Sequence, residues 1–85
     1  MNLEQDENIV DYKIKSIIAR ILKIKVSDIN DSSSPRSIPG WIGLNHRSII
    51  SSLEEEFNIQ FDESDKEIFV NYKIIKATVV SYIDE

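Results

Sequence analysis

The chain has 85 residues, of which 41% are apolar and 29% charged, with a formal net charge of −5 and no cysteine. That length builds one domain, here residues 1–85, with a thin core and no disulfide to staple it. The balance argues against wholesale disorder and rules out thiol catalysis and thiolate metal sites, while the negative charge opposes binding of a phosphate backbone.

In chain order, Met1 to Asn8 is acidic rather than basic and then apolar, so no secretory signal and no membrane-inserted segment is expected. The lack of cysteine is in keeping with a cytoplasmic location. From Glu7 to Leu22 the residues Val10, Ile14, Ile17, Ile18 and Ile21 recur at three and four, one stripe of a helix over 7–22. Asp6 is its expected N-cap. Ile24, Val26 and Ile29 follow in loose alternation. A long surface loop then spans 30–43, for Asn30 to Gly40 holds both prolines and four serines. Ile38 and Trp41 are expected to pin that loop to the body.

A second helix is expected over 44–57. Its inner face carries His46, Ile50, Leu53 and Phe57, with Ile49 at the margin. Asn58 stops it, and Ile59 and Phe61 form a short extended link. A short third helix is expected over 64–70, capped by Asp62 or Ser64, with Ile68 and Phe69 inward. Tyr72, Ile75, Val79, Tyr82 and Ile83 mark a last amphipathic helix over 74–83, although its β-branched residues leave a strand as the competing reading. The sum is a small all-α four-helix bundle with a long first loop and a short third helix.

The stretch "IPGWIGLNHRSIISSLEEEFNIQF", Ile38 to Phe61, closely resembles the acyl carrier protein family, whose members are phosphopantetheine-binding domains. Family members with a tryptophan here read Trp-Asp-Ser-Leu, then a helix ending Leu-Glu-Glu-Glu-Phe and a short apolar link. This chain supplies Trp41 and Leu44, then Leu53 to Phe57, then Ile59 and Phe61 at the same spacing. Similarity continues upstream through Ile17 to Ile29 and downstream in the final "VVSYIDE", and so covers nearly the whole chain.

The resemblance implies a serine at the start of the second helix that bears a 4′-phosphopantetheine arm, whose thiol carries acyl groups. It also implies an acidic helix that docks on basic patches of acyl-processing enzymes. In this chain Gly43 matches the serine and Ile42 matches the aspartate before it. Glycine has no hydroxyl, so no phosphodiester can form there, and no cofactor is expected on this chain. Trp41, Ile42 and Leu44 flank that position. Arg47 replaces an aliphatic residue at the mouth of the acyl pocket, and Ser48 replaces a docking glutamate. Glu54, Glu55 and Glu56 keep the acidic character at the far end of the helix. With Arg47 and Ser48 they make the expected partner-binding set of a monomeric protein.

Three functions follow from different classes. The first is a degenerate, non-catalytic carrier-like domain that works by binding proteins. The second is a genuine carrier of fatty acid or polyketide type whose attachment serine is lost in this chain. The third is an unrelated helical nucleic-acid binder, which the acidic balance opposes. Relocation of the arm to Ser48, Ser51 or Ser52 is disfavoured by their place inside the helix. Ser37 and Ser32 to Ser34 lack the flanking motif. His46 is expected to be a core-edge residue rather than a metal ligand or part of a catalytic triad, and Trp41 an aromatic anchor.

Overall fold

A computed structural model of the chain describes residues 7–84. Helix α1 spans Glu7–Leu22, and a 3₁₀ turn follows at Val26–Asp28. Helix α2 spans Gly43–Phe57, α3 Glu63–Glu67 and α4 Tyr72–Ile83, with no strand among the described residues. The last segment is therefore a helix despite its β-branched residues. Burial of Tyr72, Ile75 and Val79 along one face outweighs a propensity penalty of a few tenths of a kcal/mol per residue. The expected cap Asp6 lies outside the described residues. No helix among these residues is long and apolar enough to cross a membrane.

The α1 stripe meets the inner face of α2. Val10, Ile14 and Ile18 are fully buried with Ile49, Leu53, Tyr72, Ile75 and Val79, and Trp41 joins them from the loop. The pair Lys13–Glu56 (3.6 Å) ties the middle of α1 to the last turn of α2.

Both helices end alike. Lys23 at φ 59° and Asn58 at φ 54° reverse the chain in the left-handed region. The next residues, Ile24 and Ile59, donate N–H bonds back to Ala19 and Glu54 (3.0 Å each) and fold onto the core. Asn58 was legible as a stop because asparagine tolerates that conformation. Lys23 carried no such signal.

The serine-rich loop is built as a cap for α4. Tyr72 donates its backbone N–H to the Ser33 carbonyl (2.7 Å) and Lys73 to the Asp31 carbonyl (3.2 Å). Asn71 accepts from Ile74 N–H (2.9 Å). These contacts satisfy N–H groups that would otherwise be orphaned, so α4 starts at Tyr72, two residues earlier than its periodicity predicts. Buried Ser33 accepts the Asn30 N–H through its hydroxyl (2.8 Å).

Helix α3 is shorter than expected and ends at Glu67. The chain leaves helical geometry there, so Ile68 and Phe69 do not share a face. Phe69 turns inward, edge-on to Phe61 at 5.0 Å between ring centres, whereas Ile68 is exposed. Asp62 occupies the N-cap without a side-chain bond. Tyr82 closes this corner, edge-on to Phe61 and donating its hydroxyl to Asp65.

Candidate functional site at the entrance of α2

The helix entrance is shaped by one backbone torsion. Ile42 is extended (φ −141°, ψ 160°), and its carbonyl accepts from Asn45 N–H (3.0 Å), which makes it the N-cap. Gly43, expected as the last loop residue before a helix over 44–57, is instead the first helical residue, at φ +46°. An L-residue pays roughly 1–2 kcal/mol in that region and glycine does not. A Cβ at Gly43 would meet no atom within 4 Å, so the obstacle to a side chain is torsional, not steric. Ile42 has no cap oxygen, and the helix start carries no side-chain cap. The Asn45 amide ties back to the Gly40 carbonyl instead (2.8 Å).

Trp41 is the hub beneath this entrance. Its ring is fully buried, and its indole N–H donates to His46 Nδ1 (2.9 Å). An indole only donates, so Nδ1 must be bare and the remaining imidazole proton sits on Nε2. Burial lowers the His46 pKa and favours the same neutral form. His46 is thus a half-buried acceptor that orients the tryptophan, and Trp41 ties the loop to the helix, as their sequence contexts suggested.

Around this hub lies a cleft of ≈ 420 Å³. Trp41, Ile42, Gly43 and His46 form one wall, Pro35 and Arg36 a second, and Phe69 with Val70 a third. Ile42, Gly43, Leu44 and Arg47 are exposed, and Ser48 is half-buried inside the helix. The phosphopantetheine arm needs a hydroxyl where Gly43 stands. Neither the side chain nor the torsion of this residue suits it, so the site does not fit the group. The contribution of Arg36, Phe69 and Val70 escaped the sequence reading. They come from segments far apart in the chain, and Phe69 and Val70 had been assigned to a helix they do not join.

The three glutamates at the other end are not equivalent. Glu54 accepts the Phe61 N–H through Oε2 (2.9 Å), and Glu56 pairs with Lys13. Glu55 is exposed. Two of the three side chains expected to face a partner are therefore engaged in holding the fold.

No protein-family model matches the chain. It is, however, similar to the acyl carrier protein of Buchnera aphidicola subsp. Schizaphis graminum, with 38% identity over 60 residues, 71% of this chain and 76% of that protein. At that identity and coverage, and with the four-helix order its sequence resemblance implies, the chain belongs to the acyl carrier protein family.

Proposed function

We propose that this acyl carrier-like protein is not phosphopantetheinylated at Gly43 and acts without catalysis, by binding proteins of acyl-processing or biosynthetic pathways. The observation that carries the reading is Gly43 itself: no hydroxyl, a left-handed torsion, and exposed isoleucine and leucine on either side. Departures at Ile42, Arg47 and Ser48 support a drifted recognition surface rather than loss of one serine. The exposed carboxylates Glu55, Glu63 and Glu67 offer a basic partner surface a charged face, in a steering role more than an affinity role. A monomer in the cytoplasm is part of the same reading, in keeping with a cysteine-free chain.

The test is intact mass after incubation with a promiscuous phosphopantetheinyl transferase and coenzyme A. The expected result is no adduct, and a stoichiometric adduct on any serine would sink the proposal. Gly43→Ser should label poorly, because serine must first move the backbone out of the glycine torsion. Adding Ile42→Asp should improve labelling. Equal and rapid labelling of both variants would contradict a drifted surface.

A further inference from the structure

The exposed apolar residues of this protein are not scattered. Among the described residues five large apolar or aromatic side chains are exposed, and Tyr12 alone lies on α1. The other four are Ile42 (68% exposed) and Leu44 (73%) at the start of α2, and Ile68 (51%) and Val70 (57%) after α3. Ile42 and Val70 both line the cleft at Gly43, and exposed Leu44 and Ile68 each adjoin a lining residue in the chain. A patch concentrated on a concavity marks a binding surface, whereas isolated exposed apolar residues need no explanation.

Its charge is the opposite of the chain's. From Ser32 to Leu53 there is no carboxylate, in a chain that has 15 aspartates and glutamates. The only charged side chains in that span are Arg36, on the cleft wall, and Arg47, exposed one turn into α2. Neither belongs to any of the ion pairs among the described residues, which join Lys13, Lys15, Lys66 and Lys76 to carboxylates. Arg47 shares a neighbouring groove with Glu54, which accepts the Phe61 N–H, and with exposed Glu63, which lies 3.4 Å from Lys66. The Glu54–Glu56 cluster begins eleven residues beyond Gly43, about 16 Å along a helix at 1.5 Å per residue. That exceeds the ≈ 8 Å screening length at physiological salt, so at the α2 entrance the guanidiniums are screened from that cluster, and exposed Glu67, just before Ile68, is the acidic residue nearest the rim in the chain.

We infer that the cleft at Gly43 and its rim, Ile42, Leu44, Ile68 and Val70 with Arg36 and Arg47, is a docking surface for an acidic, apolar protein segment. The segment seats aliphatic or aromatic side chains against exposed Ile42 and Val70 and sets carboxylates opposite the two arginines, whose planar forks pair with them bidentately. The surface is separate from the acidic end of α2 and has the reverse polarity. It deepens the proposed function by naming a second partner chemistry, and rests on it in that an arm at residue 43 would cross the cleft.

The experiment is selection of a displayed random 16-residue peptide library on the full chain, with counter-selection on two variants. One is Ile42→Ser with Leu44→Ser, the other Arg36→Glu with Arg47→Glu. All four side chains are exposed, and circular dichroism confirms that both variants keep their helices. The expected outcome is enrichment of peptides combining apolar residues with Asp and Glu. A synthetic copy of the leading peptide should shift the amide resonances of residues 42–44 and 68–70, and the arginine reversal should weaken it by about tenfold or more. Enrichment of basic or uncharged peptides would overturn the inference, as would binding that survives either double variant, or no enrichment at all. So would decanoate shifting those resonances where no peptide does, or a wild-type dimer that the isoleucine–leucine variant dissociates. Adducts are read by mass and partner chemistry by peptide sequence, so failure of the armless reading and failure of this surface are distinguishable.

Discussion

The two ends of α2 are built on opposite principles. At the C-terminal end several groups are used internally: Asn58 reverses the chain, Glu54 holds the Phe61 N–H, and Glu56 reaches Lys13. At the N-terminal end the helix has no side-chain cap, two aliphatic residues face outward, and Arg47 has no ion-pair partner among the described residues. One end contributes to the fold, while the other leaves its groups available. The difference teaches that a motif can keep its outline while the parts that recognise something exchange places. Of the glutamates that look like a docking face, Glu54 holds the Phe61 N–H while Glu55 and Glu56 are exposed, and the entrance that looks vacated carries exposed apolar groups.

The largest effect is expected beneath the entrance. Trp41→Ala removes a fully buried ring that joins loop, α2 and core, and should cost about 3–5 kcal/mol in urea unfolding. Ile42→Ala, one residue on but exposed, should stay within about 0.5 kcal/mol. Similar losses for both would break the contrast between a structural hub and a free rim.

Next come the glutamates. Glu54→Ala strands the Phe61 N–H and should cost about 1–2 kcal/mol. Glu55→Ala should be silent within about 0.5 kcal/mol. Equal costs would mean that the triplet acts only as a solvated charge run.

Gly43→Ala forces an L-residue into φ +46° and should destabilise by about 1 kcal/mol, although its Cβ meets nothing. A neutral or stabilising result in urea unfolding would show that the entrance relaxes without strain.

The smallest effect is a pH slope. Burial holds the folded-state pKa of His46 below its unfolded value of about 6.5, so this residue's contribution is complete above that pH. As pH falls below about 6.5 the unfolded chain takes up the proton first, and stability declines until the folded protein is protonated too. His46→Asn supplies an oxygen acceptor for Trp41 without titrating. Melting temperatures from pH 8 to 5 should fall more in the parent than in this variant, and parallel curves would refute the assignment. Asp11 acts at lower pH. Burial alone would raise its pKa, but the Tyr72 hydroxyl and the ammonium groups of Lys15 and Lys76 outweigh that and lower it. Its contribution is thus lost only as pH falls below about 4.

Much of this was legible in the chain, and the reasons are local. Periodicity at three and four placed α1 and most of α2, and asparagine at residue 58 announced a left-handed stop, because these signals lie within one or two helical turns. The pinning role of Trp41 was readable too, since a lone large aromatic in a polar loop has few other uses. The end of α3, the outward turn of Ile68 and the early start of α4 were not. Each depends on a distant group: Phe61 receiving the edge of Phe69, and carbonyls of Asp31 and Ser33 capping the α4 N-terminus.

By itself, then, the sequence determined the helix order, the family and the absence of a hydroxyl at residue 43, for these are matters of residue type and short-range spacing. Only the tertiary structure decided that Gly43 is left-handed, that Glu54 and Glu56 are engaged while Arg36 and Arg47 have no ion-pair partner among the described residues, and that residues 35–36, 41–43, 46 and 69–70 line one cleft. Those facts depend on which segments meet. A chain's local propensities do not specify that until a shared core brings the segments together.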